Sequence, residues 1–250
     1  MEPIYKKELM VSATQVDCFG RLTPSMAMRM VHGVAGEHSD LLGTDYASLA
    51  EKRMFWAVIR HRIKFYRLPR TGERITLETW PLPTTRVAFP RATVAYDEQG
   101  QVLFQSMALW ILMDLDTRAM ILPKKSGIEL TGTLRGTELP APTSLLPHPL
   151  TQSRRRQVCY TDLDRNRHMN NCRYLDWIDD LLESGFHESH TPVDMTLCYL
   201  NEAREGQVLE LTWELCGEDL QVDIHRDKAD SSGDFDRIFA AKIVFDSVVL

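Results

Sequence analysis

The chain has 250 residues, 44% of them hydrophobic and 26% charged, a globular balance that excludes broad disorder. Its formal net charge of −6 exerts no general pull on nucleic acid, so an acidic partner must find a local basic patch. No window approaches the roughly 18 apolar residues of a membrane span, and the opening MEPIYKKELMVSATQV has no signal-like apolar run. A cytoplasmic protein is expected. The cysteines (Cys18, Cys159, Cys172, Cys198 and Cys216) are odd in number, scattered and without a CxxC pair. That argues against a disulfide framework or a zinc site, and no metal or cofactor is implied.

The expected elements form two similar series. In the first, VDCFGRLTPSMAMRMV runs from a strand end through Asp17 and a short polar turn into a helix. Thr23 is its cap, Pro24 its first residue, and Met26, Met30, Val31 and Val34 its apolar stripe. A strand, turn and strand follow in RIKFYRLPRTGERITLETW, then the strand-like runs VAFPRATVAYDEQG and QVLFQSMALWILMDLDT, with DEQG as a tight turn. The stretch from Leu122 to Arg156, rich in Pro, Gly, Ser and Thr, reads as a linker. Its central part, 131–153, separates domains 1–130 and 154–250.

The second series repeats the plan in TDLDRNRHMNNCRYLDWI, with Asp164 as the acidic residue and Asn170 or Asn171 as the expected cap. Tyr174, Trp177, Ile178, Leu181 and Leu182 recur at helical spacing, and Gly185 is the expected stop. MTLCYLNEAREGQVLELTWEL repeats the strand pair, and LQVDIHRD and FDRIFAAKIVF continue it, with GEDL as a tight turn. Gly72 and Gly206 superpose the two pairs without gaps, and a loop insertion around Asp45 to Phe55 absorbs the extra length of the first series. One helix followed by antiparallel strands, given twice, is an α+β architecture in which each sheet wraps its own helix. The hotdog fold has this order. A tandem (double) hotdog is a pseudo-dimer in one chain, monomeric or homodimeric, with its site expected where the halves meet.

Asp164, Asn166 and His168 alternate in DLDRNRHMNN, so an extended segment or turn would present all three on one side, with Arg165 and Arg167 facing outward. Taken singly, Asp164 and Asn166 are ordinary turn residues and His168 an ordinary surface or core group.

The segment DLDRNRHMNNCRYLDW resembles the signature DLDxNxHxNNxxYxxW of the plant and bacterial acyl-acyl carrier protein (acyl-ACP) thioesterases. It matches at Asp162, Leu163, Asp164, Asn166, His168, Asn170, Asn171, Tyr174 and Trp177. A second family element, a Tyr, two residues and an essential Glu at a strand end, is similar to Tyr199, Leu200, Asn201 and Glu202. FWAVIRHRIKFYRLPRTGERITLETW and ALWILMDLDTRAMILP are similar to further family segments, so the resemblance covers nearly the whole chain. It implies hydrolysis of a fatty acyl-ACP thioester, releasing free fatty acid and holo-ACP in fatty acid biosynthesis. Asp164, Asn166, His168 and Glu202 are the implied catalytic set. Glu202 would activate water or attack directly, His168 and Asn166 would donate hydrogen bonds, aided by the helix N-terminus, and Asp164 would orient them. Two departures stand out: Ala203 replaces a cysteine of the plant enzymes, and Leu200 and Asn201 replace basic residues.

Aligning Asp17 with Asp164 places Phe19 opposite Asn166, Arg21 opposite His168 and Leu68 opposite Glu202, so one site per chain is expected. The first half is then the acyl-binding half, with Met26, Met30, Met54, Phe55 and Trp56 suited to an acyl channel. Acyl carrier protein is acidic, which makes Arg165 and Arg167 the expected carrier contacts and the triplet Arg154, Arg155 and Arg156 a second cluster. The competing readings are an acyl-CoA thioesterase, a hotdog dehydratase, whose HFPG-type lead-in is absent, and a non-catalytic acyl-binding module.

Overall fold

In a computed structural model that describes residues 3–227 and 235–247, the chain divides into two units, Met1–Pro142 and Thr143–Leu250. The first carries β1 (Tyr5–Met10), a 3-10 turn (Ala13–Gln15), α1 (Pro24–Leu41), α2 (Tyr46–Glu51), β2 (Met54–Phe65) and β3 (Arg74–Pro81). It continues with β4 (Phe89–Tyr96), β5 (Val102–Asp114), β6 (Met120–Ile121) and α3 (Pro123–Ser126). Its strands lie in the order β1-β3-β4-β5-β2, every neighbouring pair antiparallel, with β6 beside β5.

Thr23 caps α1 by accepting from the Met26 N–H, and Pro24 opens the helix where its missing N–H costs nothing. The helix buries Ala27, Met28, Met30, Val31, Val34 and Ala35. Met26 lies off that row and is only half-buried, while Met28 takes the place in the core. The expected insertion contains α2, capped by Asp45, whose Oδ1 accepts from the N–H groups of Ala47 and Ser48. Residues 127–151 have no helix or strand, yet Leu139 belongs to the first unit's core with Trp80 and Leu82. The expected linker is therefore packed chain over part of its length.

The second unit carries β7 (Gln152–Gln157), a 3-10 turn (Tyr160–Asp162), α4 (Arg173–Asp179), α5 (Ser184–Ser189), β8 (His190–Tyr199), β9 (Val208–Cys216), β10 (Asp219–Asp227) and β11 (Phe235–Ser247). Its strand order is β8-β11-β10-β9-β7, again antiparallel throughout. Tyr174 fixes α4 on this sheet, stacked on Phe239 of β11 with ring centroids 4.6 Å apart and edge-on to Tyr199 of β8.

The helix is shorter than its apolar spacing suggests. The N–H groups of Leu181 and Leu182 bond to carbonyls three residues back, a tightened last turn, and the chain then extends at Glu183. Gly185 lies inside α5 and stops nothing. The N-cap is Cys172, and Asn170 contributes by accepting from the Cys172 N–H at 2.9 Å. Each unit is thus an antiparallel sheet with a helix against it, the α+β hotdog arrangement given twice.

Candidate active site

Two turns built on one hydrogen-bond plan lead into α1 and α4. In the first unit, Asp17 Oδ1 accepts from the N–H groups of Phe19 and Arg21, both at 2.9 Å. In the second, Asp164 Oδ1 accepts from Asn166 at 2.7 Å and His168 at 3.2 Å. The Asp17 N–H bonds to the Arg21 carbonyl and the Asp164 N–H to the His168 carbonyl, each at 2.8 Å. The residue after each turn then donates to the loop after a strand, Leu22 to Pro69 and Met169 to Ala203. This is an Asx turn, which short acidic side chains form well. Its tightest position needs a left-handed backbone, supplied by Gly20 (φ 75°) in the first unit and by Arg167 (φ 61°) in the second.

The side chains that the two turns present differ. In the second unit the turn seats His168, 9% exposed, beside the loop after β8, where His168 Nε2 lies 3.1 Å from Glu202 Oε2. Glu202 remains 39% exposed, and Arg204 Nη2 stands 3.9 Å from the same carboxylate oxygen. In the first unit Arg21 occupies the histidine's place and turns back on the turn itself, its Nε and Nη2 each 2.9 Å from Asp17 Oδ2 and its guanidinium over the Phe19 ring.

Buried groups behind the turn hold it in place. Asp162, 6% exposed, accepts from the Cys159 N–H at 2.9 Å and from Trp177 Nε1 at 3.3 Å, tying the turn to α4. The Tyr199 hydroxyl donates to the Asn171 carbonyl at 3.2 Å. Burial pushes the phenols of Tyr174 and Tyr199 up from their ordinary pKa, so both stay protonated.

The four expected catalytic residues do not all present themselves as the alternation suggests. The segment is a tight turn and not an extended run, so Asn166 is exposed while His168 is buried. Asp164 orders Asn166 and His168 through their backbone N–H groups. α4 has only seven residues, and the N–H before it is already taken by Asn170, which leaves little free helix terminus to aim at a ligand.

Of the first-half residues, Met54 and Met30 are 5% and 7% exposed, and Met54 packs with Leu49, Phe89 and Leu112. Trp56 lies against that cluster and donates from its indole to the Thr44 carbonyl at 2.9 Å. Arg165, Asn166 and Arg167 are all exposed. The triplet on β7 is engaged within its own unit: Arg154 lies over Trp213, Arg156 over Trp177 and against Asp180, and Arg155 against Asp227. Arg226 and Gln207, which meet the Glu202 loop, carried no motif and were not expected from the sequence.

Family models describing the acyl-ACP thioesterase N-terminal and C-terminal domains match residues 2–123 and 149–245. The palmitoyl-acyl carrier protein thioesterase of Gossypium hirsutum is 27% identical over 182 residues, 68% of this chain and 44% of that protein. The oleoyl-acyl carrier protein thioesterase 1 of Arabidopsis thaliana is 23% identical over 234 residues, 82% of this chain and 62% of that protein. The chain thus spans about half the length of these curated relatives. An acyl-ACP thioesterase from Bacteroides thetaiotaomicron shares the fold with a TM-score of 0.84 at 21% identity over 98% of both chains. The 12:0-ACP thioesterase from Umbellularia californica does so with a TM-score of 0.82 at 17% identity over 99% of both. Both domains of one family lie here in order and together take in most of the sequence: the chain belongs to the acyl-ACP thioesterase family.

Proposed function

We propose that the chain hydrolyses the thioester of a fatty acyl-ACP, releasing the fatty acid and the carrier thiol, as a cytoplasmic enzyme of fatty acid biosynthesis. The observation that carries this reading is the 3.1 Å contact between His168 Nε2 and Glu202 Oε2, present in only one of two otherwise equivalent turns. The ring donates to Oε2 and orients the carboxylate, and at a residue that is 39% exposed water reaches it. That water attacks the carbonyl carbon as its proton passes to Glu202. The C–S bond then breaks, and the departing thiolate takes the proton. Asn166, whose side chain is exposed at the same turn, donates to the developing oxyanion.

The acyl chain is assigned to the first unit, with Met54, Trp56, Met30 and Met26 as its contacts, and the carrier to the exposed Arg165 and Arg167 beside the catalytic turn. Hydrolysis of acyl-ACP and acyl-CoA with the same acyl chain tests the assignment. A higher kcat/KM is expected on acyl-ACP, falling as salt rises, because charges on an open rim are screened over about 10 Å at 0.1 M. Charge reversal at Arg165 and Arg167 should raise KM for acyl-ACP and leave a carrier-free acyl N-acetylcysteamine thioester little changed. Preference for acyl-CoA would make the chain a CoA thioesterase, and no turnover of either would make it a binding module.

A further inference from the structure

Glu202 lies outside any strand and is 39% exposed, yet its carboxylate is held against His168. A side chain from a neighbouring strand meets its loop. Arg226, near the end of β10, donates from Nη1 to the Glu202 carbonyl and to Gln207 Oε1, both at 3.2 Å. Its Nη2 donates to Asp236 Oδ2 at 2.8 Å, and Arg226 and Asp236 are opposite partners in the β10–β11 register. Gln207 Oε1 also accepts from the Arg204 N–H at 2.9 Å. One guanidinium therefore links the sheet to both ends of the loop that carries Glu202, a task its planar fork of donors suits and a single ammonium does not.

The first unit closes its matching loop differently. There the Arg70 N–H donates to Glu73 Oε1 at 3.1 Å, and the cation is Arg67, which comes from the end of β2 and reaches the same oxygen at 2.8 Å. The loop can thus be closed without a cation from the neighbouring strand. In the second unit the cation also bonds to the main chain of the residue that bears the carboxylate.

We infer that Arg226 is a positioning residue for hydrolysis, fixing the Glu202 main chain and through it the Glu202–His168 pair; this rests on the thioesterase reading above. The test is steady-state and single-turnover hydrolysis of acyl-ACP by Arg226→Gln, Arg226→Lys and the double variant Arg226→Gln/Glu202→Gln, with Tm recorded for each. Arg226→Gln should lower kcat on the order of 10-fold with KM within about twofold, the pattern of an interaction that matters in the transition state. Arg226→Lys should recover only part of the loss. In the Glu202→Gln background, removing Arg226 should slow the residual single-turnover rate no further, because the group it acts through is gone. If Arg226→Gln unfolds at the assay temperature, Asp236→Asn replaces it, keeping the guanidinium but loosening its anchor, with the same kcat loss expected. An unchanged kcat, or an equal further loss in the Glu202→Gln background, overturns the inference. Failure of the wild-type protein to hydrolyse any thioester would instead overturn the thioesterase reading, and no variant is needed to see it.

Discussion

The turn at Asp17 and the turn at Asp164 share their backbone plan bond for bond, yet one ends in an arginine folded onto its own aspartate and the other in a histidine facing a glutamate. On the proposed mechanism, the difference separates scaffold from chemistry. The Asx turn and the bond from the following residue to the opposite loop are needed to launch a helix from a strand end, so both copies keep them. The side chains at the third and fifth positions of the turn, and at the loop facing it, are free to vary. Phe19, Arg21 and Leu68 fill those places in the first unit with a ring, an internal ion pair and an apolar group.

Within the turns themselves, the largest effect that should break the symmetry comes from removing each aspartate. Asp164→Ala releases the backbone that seats His168 and should lower kcat on acyl-ACP by about 10- to 100-fold, the cost of misplacing a group that the proposed mechanism uses. Asp17→Ala should leave kcat within about twofold. It should instead cost about 2–3 kcal/mol of stability, because Arg21, 7% exposed, loses its counter-ion. Paired kinetics and thermal melts distinguish the two, and a catalytic loss in Asp17→Ala would mean that the first turn also serves the reaction.

A smaller effect comes from two buried histidines of the first unit and depends on pH. On α1, His32 stacks over His61 with centroids 5.5 Å apart and meets the edge of Trp110, while His61 bonds to Ser106. Burial, helped by Arg29, holds His32 down at about 4, and burial with the neighbouring His32 holds His61 well below its ordinary value. Both rings are thus neutral in the folded state over a range in which the unfolded chain takes up protons. The stability they give is present above about pH 6.5 and is lost as pH falls toward 4. Between pH 7 and 5, His32 alone should cost on the order of 1–2 kcal/mol. His32→Gln should flatten the fall in Tm over that interval, and an unchanged slope would contradict the assignment.

The smallest effect concerns the left-handed residue. Arg167→Gly copies Gly20 into the second turn and removes a strain of about 1 kcal/mol, so Tm should rise by a few degrees. If Arg167 meets the carrier, KM for acyl-ACP should rise in the same variant. A fall in Tm would mean that the arginine side chain stabilises the turn by more than its backbone costs.

Much of this was legible in the sequence because the signals are local. The Thr23–Pro24 start of α1 and the two aspartate turns depend on neighbouring residues and read directly, whereas the tyrosine-to-glutamate spacing at the end of β8 is legible only through the family resemblance. The end of α4 did not, since Leu181 and Leu182 keep an apolar rhythm after the backbone has tightened and left the helix. Met28 fills the core place that spacing alone offers to Met26, because the buried row of α1 is set by how the helix rolls on its sheet. The arginines of β7 read as a free basic run, but their aromatic and acidic partners lie on other elements. Arg226 is far from Glu202 in sequence and reaches its loop only through the β9–β10 hairpin.

The central claim is that the chain holds one hydrolytic site, in the second unit, and that Glu202 is its base. Single-turnover hydrolysis of acyl-ACP by Glu202→Gln, with Tm and acyl-ACP binding measured on the same preparation, tests it most directly. The substitution keeps the volume and removes the charge, so binding should persist and Tm should move by no more than a few degrees. The rate should fall at least on the order of 100-fold. A folded Glu202→Gln protein that hydrolyses acyl-ACP within about tenfold of the wild-type rate would contradict the account.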